Sequence, residues 1–233
     1  METNRDNLPS HVAIIMDGNR RWSAKHGLGP VAGHEQAAKK SIRPIVERAI
    51  ELGIPYLTFW AFSTENWRRD KKELEGLFRV FREALSEETN QLNEKGVKLR
   101  YLGDIDKFPS DICQKVKDGI EKTRDNEKIT VSFALNYGGR DEILRAIKKA
   151  ITAGVKDGEL TEERFSQFLD TAGMPDPDLI IRTGGEQRLS GYLPWQSVYS
   201  ELYFTPVLFP DFTPKELDKA LVNYQGRQRR FGK

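Results

Sequence analysis

The chain of 233 residues is long enough for one sizeable core, and 38% hydrophobic with 31% charged residues is the make-up of a globular domain. A formal net charge of +2 is too small to argue for nucleic acid, and the single cysteine, Cys113, excludes a disulfide framework and any multi-cysteine metal site. Residues 1–10 form a polar arm without signal or transit character, and no stretch is apolar enough to span a bilayer, so a cytoplasmic protein with no nucleic-acid partner is expected.

Residues 12–16 are an almost unbroken apolar run, the pattern of a strand buried on both faces of a parallel sheet. The run stops at Asp17-Gly18-Asn19, which carries turn and capping chemistry, and residues 20–26 have helical character. In an open α/β sheet, ligands bind beyond the carboxyl ends of the strands, which puts Asp17 at such a mouth. Two readings of this junction stay open. Asp17 is an N-cap beside solvated arginines, or it holds a hard cation while Arg21 and backbone amides take phosphate oxygens and Gly18 lets the backbone approach closely.

Residues 27–30 break the first helix, and a helical pattern follows over 33–52, with Pro44 predicting a kink. Gly53 closes it, and 56–62 reads as a second buried strand, completing a strand–helix–strand unit. That strand ends in Ser63-Thr64-Glu65-Asn66-Trp67-Arg68-Arg69, so a second arginine pair falls on the same sheet edge as Asp17. Leu74, Leu77, Phe78, Phe81 and Leu85 follow helical spacing, either as ordinary core or as the wall of an apolar channel.

A third strand is expected over 97–102 and a helix carrying Cys113 over 109–123. Residues 129–135 alternate, with Ile129, Val131, Phe133 and Leu135 on one face, and end at the glycine turn Asn136-Tyr137-Gly138-Gly139-Arg140, which opens a helix to about residue 152. A short helix over 161–170 and a strand over 178–182 follow. In the polar loop 183–190, Arg182, Arg188 and Ser190 with glycine amides make a second oxyanion cradle, unless the loop is merely basic surface. Glu201 lies in an aromatic stretch, where burial would demand a partner charge or a metal. A final helix over 213–224 leads to a basic tail, 226–233, which by itself reads as a solvated end.

Taken together, His11 to Trp22, Gly33-His34, Ala61 to Trp67, Asn136 to Arg140, Arg182 to Arg188, Glu201 to Phe204 and Arg230-Phe231-Gly232 resemble the cis-prenyltransferases of the undecaprenyl diphosphate synthase type, in that family's order and over nearly the whole chain. The resemblance implies a single α/β domain over 1–233, with a central, mostly parallel sheet of about six strands flanked by helices and an apolar tunnel beside it. It also implies a homodimer that elongates prenyl chains by condensing isopentenyl diphosphate with an allylic diphosphate to a Z-configured polyprenyl diphosphate, and that meets the membrane peripherally through its lipid product. Carried over, Asp17, Asn19, His34 and Asn66 are the catalytic residues, and Asp17 with Glu201 holds Mg2+. Gly18, Arg20, Arg21, Trp22 and Arg69 hold the allylic substrate, and Arg182, Arg188 and Ser190 hold isopentenyl diphosphate, joined by the neighbouring subunit's tail through Arg230 and Gly232. The proton acceptor stays open among Asn19, His34, Asp17 and the departing diphosphate. Where the family commonly has an arginine four residues before His34, this chain has Pro30, which bears on the allylic primer and on head-to-tail coupling. Short-chain or irregular coupling and a non-catalytic partner subunit are the alternative readings. The bulk of Phe133, with Trp60 on the neighbouring strand, suggests a tunnel floor and a short or medium-chain product.

Overall fold

The structure, a computed structural model, describes residues 7–227. Six strands, β1 (His11–Ile15), β2 (Tyr56–Trp60), β3 (Val97–Leu102), β4 (Ile129–Ala134), β5 (Leu179–Arg182) and β6 (Glu201–Phe204), form one sheet in the order β3-β4-β2-β1-β5-β6. Every pairing is parallel, so the sheet expected to be mostly parallel is wholly so. Parallel neighbours need crossovers: α1 (Asn19–Lys25), α2 (Ala32–Gln36) and α3 (Ile42–Leu52) join β1 to β2, α4 (Lys71–Glu94) joins β2 to β3, α5 (Ser110–Lys122) joins β3 to β4, α6 (Gly139–Thr152) and α7 (Glu162–Ser166) join β4 to β5, a helix-free segment joins β5 to β6, and α8 (Pro214–Gln225) follows β6. β1 is buried along its whole length, as its Val-Ala-Ile-Ile run requires of a central strand.

Three elements differ from the sequence expectation. The helix expected over 33–52 is α2, a π turn over Ala37–Ser41, and α3. Pro44 accounts for the break: it has no N–H for the Lys40 carbonyl and its ring crowds that oxygen, and the wider turn just ahead takes up the misfit. The helix expected over 161–170 shortens to α7. The aromatic stretch before residue 205 ends in an edge strand, β6, that the sequence reading did not resolve.

The main core lies where β1, β2, β4 and β5 meet α3 and α8, around Val12, Ile45, Val46, Leu57, Val131 and Leu217. α4 is different. Its inner face, with Leu77, Phe81, Leu85 and Leu92, does not close onto the sheet, and a cavity of about 950 Å³ lies beneath it. Polar ties fasten both flanks of this helix. Toward α2 and α3 they are Arg79–Glu35 at 2.5 Å, Glu83–Lys39 at 3.0 Å, Glu88–Arg43 at 3.5 Å and Lys95–Glu47 at 2.9 Å. Toward α5, Arg82 meets Asp111 at 2.5 Å, Lys115 donates to Ser86 at 2.7 Å, and Lys122 donates to Asn90.

Phe133 lines this cavity and stacks on Phe59 with centroids 5.6 Å apart. The register sets both level with Ile14, three residues and roughly 10 Å of strand from Asp17. Phe133 is thus a wall near the mouth, and the expectation that it forms the floor is corrected. Trp60 also lines the cavity where β2 ends, but alternation turns its indole toward the other face, where it stacks on Tyr192 at 4.9 Å. No helix among the described residues is long and apolar enough to cross a membrane.

Candidate active site

β2 lies on one side of β1 and β5 on the other, so the chain leaves these central strands in opposite directions and the topological switch point falls between β1 and β5. Register pairs Ile15 with Arg182, which brings the residue two beyond β1, Asp17, against the residue that ends β5. Arg182 Nη2 donates to Asp17 Oδ2 at 2.9 Å, and its Nη1 donates to Ser190 Oγ at 2.9 Å and to the Arg188 carbonyl. Arg21, one turn into α1, donates to Asp17 Oδ1 at 3.2 Å and to the Gly184 carbonyl at 2.6 Å. Each carboxylate oxygen therefore carries one guanidinium. Burial alone would raise the Asp17 carboxyl, but the hydrogen bonds and charges of Arg182 and Arg21 prevail and hold it below the ordinary carboxylate value.

The backbone around this pair is tightly fixed. The Asp17 carbonyl accepts from Thr183 Oγ1 at 2.7 Å and from the Phe209 N–H at 3.0 Å. Gly18 turns at φ 106°, and a Cβ there would come within 2.8 Å of Leu208. Ser190 holds φ 53°, a strained value for a residue with a side chain, at the point where its hydroxyl meets Arg182.

A second cationic cluster flanks the first. Arg69 donates to Glu73 at 3.0 Å, and Arg20 stands 3.7 Å from the same carboxylate oxygen. Gly33 packs so closely on α1 that a Cβ would lie 2.1 Å from the Asn19 carbonyl, and its N–H donates to Ser23 Oγ at 2.7 Å. This contact sets His34 beside the arginines. Burial, then the charges of Arg69 and Arg20, push the imidazole down to about 4 against a smaller opposing effect of the Pro30 carbonyl, so the ring is neutral at neutral pH. Asn66 caps the turn after β2, accepting from the Ser63 N–H at 3.0 Å.

Of the residues expected at the site, Asp17, Gly18, Asn19, Arg20, Arg21, His34, Asn66, Arg69, Arg182 and Ser190 line the cavity. Buried polar atoms are nearly always paired, so exceptions are informative. Among the described residues five buried side-chain atoms lack a hydrogen-bond partner, and four of them, on Asn19, His34, Glu88 and Arg182, belong to this cavity's wall. Three of the four, on Asn19, His34 and Arg182, lie at the mouth, while Glu88 lies deeper along α4.

Other expected residues are not brought there. Trp22 faces away from the cavity, donating to Asp211 at 2.8 Å and stacking on His26 at 4.0 Å. Arg188 offers Arg182 its carbonyl, while its side chain, 61% exposed, pairs with Glu186. Glu201 opens β6 and so lies at the amino edge of the sheet, accepting from Arg227 at 2.6 Å. With Leu179 as its register partner it stands about five residues of strand, some ~16 Å, below the level of Asp17, and one chain cannot bring both to one ion. Arg230 and Gly232 lie outside the described residues. Sequence reasoning missed Glu73 and Thr183; the spacing of Glu73, four after Arg69 on a helix and three after its cap Asp70, was the available signal for the first.

Among the described residues no three His, Cys, Asp or Glu side chains gather into a metal cage. Mg2+ is commonly held by one or two carboxylates together with substrate phosphates, and Asp17, ionised and flanked by Arg182 and Arg21, fits as the single protein ligand of such a shell.

The fold is thus a parallel α/β sheet with an ionised carboxylate and paired arginines at its switch point, beside a largely apolar cavity. Over residues 15–232 the chain matches the family model described as putative undecaprenyl diphosphate synthase. It is 46% identical to an isoprenyl transferase of Clostridium perfringens, over 97% of this chain and 91% of that one, and 46% identical to one of Aquifex pyrophilus, over 97% and 96%. Among solved structures it is similar to lavandulyl diphosphate synthase from Lavandula x intermedia in complex with dimethylallyl diphosphate, at TM-score 0.93 and 35% identity over 97% of this chain and 99% of that one. A probable undecaprenyl diphosphate synthase from Campylobacter jejuni gives TM-score 0.82 and 34% identity over 97% and 100%. The chain belongs to the undecaprenyl diphosphate synthase family; it is a cis-prenyltransferase, an enzyme of prenyl chain elongation.

Proposed function

We propose that the enzyme condenses isopentenyl diphosphate with an allylic diphosphate to a Z-configured polyprenyl diphosphate, with the allylic head at Asp17 to Arg21 and its tail in the cavity under α4. The observation that carries this is the joining of an arginine-rich mouth, where polar atoms of Asn19, His34 and Arg182 lack partners, to a largely apolar cavity of about 950 Å³. Arg21, Arg20 and Arg69 meet the allylic diphosphate, and Arg182, Ser190 and a swung Arg188 meet isopentenyl diphosphate. As the allylic C–O bond breaks, charge builds on the departing oxygens, and prearranged guanidinium groups lower that barrier. Mg2+, held by Asp17 and phosphate oxygens, would add Lewis-acid stabilisation of the same charge. Asp17 is a poor base, tied to two arginines, and His34 at about 4 is a weak one, so the departing diphosphate is the proton acceptor in this reading.

In this reading the protein works as a homodimer in the cytoplasm, drawn to the membrane surface by its product. Leu144, Ile147 and Ile151, exposed at helical spacing on one face of α6, support a self-association surface. A partner's tail, with Arg230 and Gly232, would complete the isopentenyl site, and Glu201, if it meets a metal, meets one other than that on its own chain's Asp17. The relatives favour elongation over irregular coupling or a silent subunit. Incubation with farnesyl diphosphate, labelled isopentenyl diphosphate and magnesium should yield extended Z-polyprenyl diphosphates by mass analysis. No incorporation with any allylic primer refutes the reading.

A further inference from the structure

Of the four ion pairs that tie α4 to α2 and α3, only Arg43–Glu88 lines the cavity; Glu35, Lys39, Glu47, Arg79, Glu83 and Lys95 do not. The pair is a charged intrusion into a wall that is otherwise mainly apolar at this depth, with Ile42, Leu85 and Leu92 around it. It is also poorly satisfied. Arg43 Nε stands 3.5 Å from Glu88 Oε2, beyond a good hydrogen bond, and Oε2 has no hydrogen-bond partner although it is buried. Burial raises the Glu88 carboxyl, with Arg43 opposing. The neighbouring Thr89 hydroxyl is spent on the Leu85 carbonyl at 2.7 Å and cannot help.

Its depth follows from helix geometry. Glu73, which holds the arginines of the mouth, precedes Glu88 by fifteen residues on α4, so the pair lies ~22 Å further along that helix. Resting on the reading that the cavity takes the substrate's tail, we propose that the Arg43–Glu88 pair is a specificity determinant that interrupts the apolar column one helical turn short of Leu92, the deepest α4 residue lining it, and limits how far the tail runs. A hydrocarbon sliding over the pair strips the remaining water from a carboxylate and returns no hydrogen bond, which costs more than the burial of further methylenes gains. The limit is therefore one of polarity, set by helices, and lies deeper than the aromatic wall at Phe133.

The test is titration calorimetry with saturated n-alkyl diphosphates of increasing length, which need no turnover. In the parent protein affinity should rise by up to about fourfold per methylene, and stop rising near about 18 carbons, the number that spans ~22 Å at ordinary carbon–carbon bond lengths. With Arg43→Leu and Glu88→Leu together, the rise should continue past that break, and the polyprenyl product should lengthen by at least one unit. Glu88→Gln keeps the shape while removing the charge; it should soften the break, and it carries the test if the double variant does not fold. An unbroken rise, or the same break, in parent and variants overturns the role of the pair while leaving the tail in the cavity. Affinity independent of chain length in the parent overturns the placement of the tail, and this inference with it.

Discussion

Replacing Asp17 separates its chemical role from its structural one. Its carboxylate receives Arg182 at 2.9 Å and Arg21 at 3.2 Å, with 7% of the Arg182 side chain and 29% of the Asp17 side chain exposed. Asp17→Ala removes both the proposed ligand of the ion and the counter-charge of a buried guanidinium. Breaking a fully buried pair costs about 3–5 kcal/mol, and an exposed pair contributes ~1 kcal/mol or less. For this half-open pair a loss of about 2–3 kcal/mol is expected, read by urea unfolding at neutral pH. Asp17→Asn keeps an acceptor for Arg182 and should lose about half as much. Turnover, read as incorporation of labelled isopentenyl diphosphate, should fall at least ~10²-fold in both variants, the scale of losing one main electrostatic stabiliser. The carboxyl's folded-state value is lowered from 3.8, so its stabilising effect is complete above that pH and is lost as pH falls through the lowered value. Near-parent turnover in Asp17→Asn refutes the metal and charge assignment, and parent-like stability in Asp17→Ala refutes the dependence of Arg182 on it.

Three further outcomes are expected. Pro30→Arg should tighten the allylic substrate by up to about 1.5–3 kcal/mol if the arginine usual in the family is simply missing; unchanged farnesyl diphosphate affinity means that Arg20 or Lys25 already fills the place. Removing residues 228–233 should raise KM for isopentenyl diphosphate more than for the allylic primer, and an equal effect on both returns the tail to a solvated end. His11 is fully buried between Thr58 and Pro175, and burial drives it down to about 4 from 6.5. The unfolded chain takes its proton first, so the ring's contribution to stability should be intact above pH 6.5 and fall by about 3 kcal/mol on descent to pH 4, read as the difference between the parent and His11→Gln because His34 titrates alongside it. A flat difference across that window contradicts the buried neutral ring.

The strands that carry the site were legible because each ends abruptly. Val12 to Ile15 stops at Asp17, and Leu179 to Ile181 stops at Arg182, and a parallel sheet puts both stops on one edge. That these two side chains bond each other, 165 positions apart, was not legible, since strand order decides it and sequence order does not. Glu201 shows the opposite case. It opens the run Leu-Tyr-Phe instead of closing it, which is an amino-end position, and its place in a motif concealed that. The π turn over Ala37–Ser41 was half legible: Pro44 announced a distortion, but Ala, Lys and Ser suit either helix equally.

The ties along both rims of α4 have a consequence for how this protein is built. A helix glued to its sheet through its inner face would lose that contact whenever something entered beneath it. Here the rims are fastened by charges and hydrogen bonds, and of the inner face Leu77 and Leu92 are buried while Phe81 and Leu85, which line the cavity between them, are only partly so. On the proposed placement of the tail, the growing hydrocarbon would complete the packing under α4, and the folded state should resist unfolding more strongly with each unit added up to the level of Arg43 and Glu88, until release of the lipid takes that packing away again.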